Sequence, residues 1–186
     1  VGLIQGILEV MFPPMPESLT DVVHGRVATV RGEVVARDLI ECPLTNDKCV
    51  YYHYAIEQWR SSRVLGGPDE GFWQLRERDE AITEFYITDG NERAIIAPAR
   101  AEISRAKGIT ARSYPLTRTQ RGRQLLICPG DVVEVTALID VADDLFDEGR
   151  AYRQDATRWL LRAPETKPIR ITLVERARAA ELRQVG

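Results

Sequence analysis

The chain has 186 residues, 44% of them hydrophobic, with 25 Lys or Arg against 28 Asp or Glu and a net charge of −3. That size and apolar content allow a real core in one large domain or two small ones, and the near-neutral charge gives no overall pull toward nucleic acid. Three cysteines without dense spacing exclude a secreted disulfide scaffold, and no apolar run approaches the roughly 20 residues of a membrane-spanning helix.

In chain order, VGLIQGILEV at positions 1–10 is short and apolar. It reads either as the stub of a preceding membrane helix or as a first element packed on the core. With no basic segment before it, it does not read as a signal peptide. Because the chain starts at Val1, it is taken as a piece of a longer protein or a processed form. MFPPMP at 11–16 then breaks any regular element. From Gly25 to Val35, the residues Ala28, Val30, Gly32 and Val34 share one face of a predicted strand, with Arg31 and Glu33 opposite. Pro43 to Lys48 is turn chemistry.

Val50 to Trp59 follows as a strand with Val50, Tyr52, Tyr54 and Ile56 on one face and Tyr51, His53, Ala55, Glu57 and Trp59 on the other. Ser61 to Gly71 reads as a polar loop. Phe72 to Arg78 and Glu84 to Thr88 read as strands. Asp89-Gly90-Asn91 turns the second of these into Arg93 to Ala97, a hairpin signal. Val133, Val135, Ala137, Ile139 and Val141 alternate most cleanly of all, after a Gly130-Asp131 start. Ala156 to Leu161 is a further strand, and Ile169, Ile171 and Leu173 alternate briefly. Val174 to Gln184 has good helix formers and no breaker.

The fold class that follows is mainly β: an antiparallel barrel or sandwich, OB-like, with a short C-terminal helix. Three segments are expected. These are a lead-in over 1–22 that could flank a membrane segment, a β domain over 23–165, and a strand-helix extension over 166–186.

The stretch PLTNDKCVYYHYAIE, Pro43 to Glu57, resembles the signature of the GIDE or BAM ("beside a membrane") domain, roughly S-P-L-T-G-x-x-C-V-Y-Y-x-Y-x-V-E. Pro43, Leu44, Thr45, Cys49, Val50, Tyr51, Tyr52, Tyr54 and Glu57 match in register, with Glu41-Cys42 at the Ser position and Asn46 at the Gly position. Val30 to Val34 is similar to the family's V-x-G-x-V strand. Phe85 to Gly90 followed by Arg93 to Ile96 is similar to its F-x-L-x-D hairpin, and Leu126 with Gly130-Asp131 to Val135 to its L-x-x-G-D-x-V-x-V strand. The likeness therefore spans about Gly25 to Leu161. It implies a β-rich domain beside transmembrane helices, with an interaction role. Eukaryotic members are membrane-anchored RING ubiquitin ligases of the mitochondrial MULAN type. A RING needs about eight zinc ligands, which three Cys and two His cannot supply, so ligase activity does not carry over.

The residues themselves offer few chemical groups. Cys42 and Cys49 flank the turn and read as small buried residues, a disulfide, or, with Cys128 or His53, a poorly spaced metal site. His53 and Glu57 are about 13 Å apart along a strand and form no catalytic pair by themselves. Tyr51, Tyr52, Tyr54 and Trp59 form either sheet packing or a stacking platform for bases. Asp89, Asp131 and Glu134 invite a carboxylate site, but two of them stand at turns. No Ser-His-Asp order, P-loop or dinucleotide fingerprint is present.

The charge pattern is more suggestive. Arg100, Arg105, Lys107, Arg112, Arg118, Arg121 and Arg123 face only Glu102 within one run, read as a loop, while Asp140 to Glu148 is acidic throughout its charged positions. Arg105, Lys107, Arg112, Arg118, Arg121 and Arg123 are the candidate lipid- or partner-binding residues. The expected function is a non-enzymatic, membrane-adjacent module that binds a protein partner or an anionic membrane surface. It would need no cofactor or metal and would be held at the membrane by segments outside this chain. The alternative is an OB-like binder of nucleic acid or oligosaccharide, with a hydrolase third.

Overall fold

The computed structural model describes residues 15–62, 70–143 and 157–177, and every regular element in these stretches is a β-strand. The cleanest alternations in the sequence form the barrel. β1 (Val27–Ala36) pairs antiparallel with β6 (Phe85–Thr88), and β6 with β7 (Arg93–Ile96). β7 runs parallel to β12 (Thr157–Arg162), which is antiparallel to β11 (Val132–Asp143). β11 returns to β1, with Val30 opposite Val135, and closes a five-stranded ring. Counting only the ring strands in chain order, they stand 1-2-3-5-4-1 with the third and fifth parallel, the arrangement of an OB-type barrel. The ring is thus mainly antiparallel, as expected from the sequence, but mixed through this one parallel pair. A second parallel pair joins β8 (Ala101–Arg105) to β13 (Ile169–Glu175), and β13 lies along β11.

Period-two alternation fills the ring. Val133, Val135, Ala137 and Ile139 of β11 are fully buried, as are Val30, Phe85, Ile87, Ala94, Ile96 and Leu161. Ile169, Ile171 and Leu173 of β13 join the same core, as does Leu19 from the lead-in. Each large aliphatic or aromatic side chain buried this way contributes about 1.5–3 kcal/mol. The C-terminal helix is corrected in its first part. Val174 and Glu175 continue β13, where pairing with β11 outweighs their place in a helix-favouring run, and 178–184 lie outside the described residues.

Two insertions in the barrel build a second sheet. Between β1 and β6 come a two-residue ladder, β2 (Ile40–Glu41) with β3 (Lys48–Cys49), and the long hairpin β4 (Tyr51–Ser62) with β5 (Glu70–Ile82). Between β7 and β11, after β8, come β9 (Arg112–Thr117) and β10 (Gln120–Ile127). The sheet order is β5-β4-β10-β9. The basic run Arg100 to Arg123, read as a loop, is thus largely strand. Pro115 fits because β9 is an edge strand, where a missing N–H costs no ladder bond. The expected polar loop Ser61 to Gly71 is also shorter, since strand pairing reaches Ser62 opposite Glu70.

Candidate functional site

The residues of the PLTNDK turn and the tyrosine strand form the joint between the two sheets. Val50 and Tyr51 are buried in the barrel core, while Cys42, Cys49, Tyr52, Tyr54 and Leu126 make a second, smaller core. The turn is tied down by Gln124 of β10, which is 1% exposed. Thr45 Oγ1 shares its one proton between Asp47 Oδ2 at 2.8 Å and Gln124 Oε1 at 3.1 Å, and Gln124 Nε2 donates to Tyr114 Oη at 3.1 Å. Pro43 is exposed at the turn. Leu44 lies over Gly122, where a Cβ would come within 2.8 Å of its Cδ2. Asn46 has φ of 59°, a left-handed conformation that Gly and Asn adopt with least strain.

The three tyrosines each donate to a carboxylate on β5: Tyr51 to Glu80 at 3.2 Å, Tyr52 to Asp79 at 2.9 Å and Tyr54 to Glu77 at 2.7 Å. The bond to Glu77 pushes the Tyr54 hydroxyl up to about 12, helped by desolvation. These residues are therefore packing and pairing groups, the first of the two readings of the sequence, and of the alternative stacking platform only Trp59 remains. The thiols are free. Burial, then the neighbouring Cys128, Cys42 and Asp47, push Cys49 up to about 12, and burial pushes Cys128 up to about 11. Both stay protonated and weakly nucleophilic near neutral pH. Among the described residues, no three His, Cys, Asp or Glu side chains are placed to hold a metal.

The two Gly-Asp turns are also structural. Asp131 is 2% exposed. It accepts from the Cys128 and Ala177 N–H groups at 2.9 and 2.8 Å and from Arg176 at 3.2 Å, which ties β13 to the turn. Asp89 accepts from Ser18 Oγ and the Leu19, Asn91 and Glu92 N–H groups. Gly90 and Gly130 hold the positive φ of these turns, 96° and 85°. Glu134 lies opposite Arg31 on the barrel surface. Asp140, from the acidic run, accepts from Arg162 and His24 at 2.7 and 2.9 Å.

What is left uncommitted is the outer sheet beyond this joint. Along one face of β4 come His53, Ala55, Glu57 and Trp59. Opposite them stand Glu80, Arg78, Leu75 and Trp73 on β5, and Leu125, Arg123 and Arg121 on β10. Glu57 accepts from Arg121 Nε at 2.6 Å and lies 3.8 Å from Arg123. The Arg121 guanidinium stacks 4.1 Å from the Trp73 ring centre, and Trp73 meets Trp59 edge-on at 5.3 Å. The Trp59 ring crosses Gly71, where a Cβ would come within 2.1 Å of Cζ2.

At the end of this sheet farthest from the barrel, large apolar side chains are open to solvent. Trp59 is 38% exposed, Phe72 58%, Leu75 49% and Leu116 40%. Trp59 N–H donates to Thr119 O at 2.7 Å, which brings the β9–β10 turn and Arg118 beside it. Phe72 pairs with Arg60, on the opposite face from Trp59. The apolar groups thus surround one end of the sheet instead of covering one face. The sequence marked Trp59 but missed Phe72, Leu75 and Leu116. Their signal was apolar residues in polar strands near a Pro/Gly-bearing segment.

The basic run does not gather into one patch. Arg118 and Arg121 stand at the apolar end, and Arg105 and Arg123 line a crevice with His53. Lys107 is exposed in the turn after β8. Arg112 is on the sheet's other face, where Tyr114 hydrogen-bonds it. Arg100 is spent on the Pro164 and Glu165 carbonyls at 2.9 and 3.0 Å. Comparison of the chain with family models, curated proteins and solved structures gives no match.

Proposed function

We propose that this chain is a non-enzymatic interaction module of the GIDE or BAM type that docks on an anionic membrane surface through the outer end of its second sheet. The observation that carries this reading is the exposure of Trp59, Phe72, Leu75 and Leu116 around one end of the sheet, with Arg60 and Arg118 among them. A protein partner would be met by one face. A bilayer interface meets an end, and Trp with Arg is the composition that interfaces favour. Each basic residue near an anionic surface contributes on the order of 1 kcal/mol, and each half-exposed apolar side chain a similar amount. The family reading is supported by Asn46 in a left-handed conformation where the pattern has Gly, and by the signature residues acting together as one joint.

Flotation with vesicles tests the docking. The protein should bind vesicles containing phosphatidylserine, less so as salt rises, with a blue shift of Trp emission. Phe72→Ser/Leu75→Ser/Leu116→Ser and Arg60→Glu/Arg118→Glu should each lose binding. Equal binding by wild type and both variants would end the reading.

A second reading has one observation in its favour. Arg121, Arg123, His53, Trp59 and Trp73 share one face, as a single-stranded nucleic-acid track would require. Against it, Glu57 holds Arg121 and partly offsets Arg123, and the face by which OB barrels take oligonucleotides is closed. There, the outward Tyr86 of β6 and Ile95 of β7 are 7% and 8% exposed. Oligonucleotide binding that survives loss of vesicle binding would favour this reading.

A further inference from the structure

We infer that the crevice between the outer sheet and the end of β8 is a binding site for a phosphate group on a small soluble ligand. It is lined by His53 and Ala55 of β4, Arg123 and Leu125 of β10, Arg105 of β8 and Ala111, and has a volume of about 260 Å³. An arginine from each of the two sheets lines it. Arg105 donates from Nη1 to the Ile109 carbonyl at 2.7 Å, which fixes its planar fork while leaving its other N–H groups for a ligand. Among the described residues, the His53 imidazole has no hydrogen-bond partner, although the residue is half-buried.

The charge balance favours an anion. Glu57 also borders the crevice, but Arg121 holds its carboxylate at 2.6 Å, while Arg123 stands back at 3.8 Å. Glu80, opposite His53, accepts the Tyr51 hydroxyl and is next to Arg78 across from Ala55. Arg105 and Arg123 are left in excess, and a phosphate offers the acceptor geometry that matches their forks. Pockets for drug-sized ligands run from about 300 Å³ upward, so this crevice suits phosphate with a small substituent.

The site is separate from the membrane-docking end proposed above. His53, at the inner end of the crevice, is six positions of β4 away from Trp59, about 20 Å at roughly 3.3 Å per residue. A lipid headgroup in a bilayer that meets Trp59 does not reach His53.

The experiment is an NMR titration of the protein with inorganic phosphate against chloride at matched ionic strength. It follows the His53 imidazole and the Arg105 and Arg123 amides. Phosphate should give saturable shifts, and Arg105→Gln and Arg123→Gln should each weaken binding about tenfold or more. Both residues are exposed, so melting temperature should hold. Arg118→Gln, at the far end, should leave phosphate binding unchanged. Equal shifts with chloride, unsaturable shifts, or an Arg118→Gln loss as large as that of Arg105→Gln would overturn the site. Phosphate that releases the protein from anionic vesicles at the same concentrations would assign the crevice to headgroups and overturn the soluble-ligand assignment. Vesicle binding by Arg105→Gln/Arg123→Gln equal to wild type would support the separation of the two sites. If vesicle docking itself fails in every protein, the phosphate titration still decides the crevice.

Discussion

The barrel and the outer sheet are held together by different forces. In the barrel, Val30, Val133, Val135, Ala137 and Ile139 present one dry face, and burial does most of the stabilising. In the outer sheet, β4 and β5 are twelve and thirteen residues long and much of β5 is exposed on both faces. There, three tyrosine-carboxylate bonds, the Gln124 hub and a small core of Cys42, Cys49, Tyr52, Tyr54 and Leu126 do the holding. A region held this way tolerates exposed Trp, Phe and Leu at its far end, because its fold does not depend on burying them. The barrel has no such freedom. The difference separates a scaffold from a presenting surface, and it makes the two regions respond differently to substitution.

The largest effect should come from Val135→Asp, which places an unpaired carboxylate in the ring's center. Burial of such a group costs several kcal/mol against a total stability of about 5–15 kcal/mol, so no folded protein is expected by circular dichroism. A soluble, normally melting Val135→Asp protein would break the assignment of the barrel as the scaffold. Leu173→Ala should cost about 2–5 kcal/mol in denaturant unfolding, because β13 shares the same core. A loss near zero would mean that β13 is an appendage instead.

Gln124→Leu should cost less, about 1–3 kcal/mol, by removing the Thr45–Gln124 and Gln124–Tyr114 bonds at the joint, while Thr45 keeps Asp47 and Tyr114 keeps Arg112. Its signature is local: amide exchange should quicken at Cys42, Thr45 and Asn46 while β1 and β11 keep their protection. Faster exchange throughout the barrel would show that the two regions unfold as one. Tyr54→Phe should be milder still, at about 1 kcal/mol, since Glu77 is exposed and regains water.

The sequence carried the scaffold better than the surface, for physical reasons. Period-two alternation is a local consequence of one buried face, so β1 and β11 were legible, as was the Asp89-Gly90-Asn91 turn. Ring closure was not, because the parallel pairing of β7 with β12 joins residues more than sixty positions apart and leaves no local pattern. β8 to β10 were hidden because arginines on their exposed faces made the run look like a solvated loop. The C-terminal run misled in the other direction, since helix propensity is weak against a waiting strand edge. At the candidate site, the sequence leaves Tyr51, Tyr52 and Tyr54 open between sheet packing and a platform, because their partners Glu80, Asp79 and Glu77 are set by hairpin register. The same register places Trp73 against Trp59 and Arg121, a cluster no spacing in the chain announces.

The smallest expected effect concerns the clip between the lead-in and the barrel, and it sharpens where the scaffold ends. Partial burial alone would raise the Asp89 carboxyl. The hydrogen bonds from Glu92, Ser18, Asn91 and Leu19 overcome that and hold it at about 2. A carboxylate lowered in the folded state stabilises it fully at pH values above the unfolded value, about 3.9. The contribution then fades as pH falls from about 4 through 2, and is gone only below that, where folded and unfolded forms are both protonated. Asp89→Asn removes the charge and turns one acceptor into a donor facing Ser18 Oγ and the Leu19 N–H. The variant should melt a little below wild type at neutral pH, by a modest amount because solvent screens the group. The two melting curves should converge as pH drops through that window. Proteolysis near Ser18 should quicken in the variant, since Asp89 is what fastens this segment to the β6–β7 turn. A gap in melting temperature that stays constant from pH 7 to pH 2 would show that the carboxylate's charge plays no part. The lead-in would then be held by Leu19 and Val22 in the core alone.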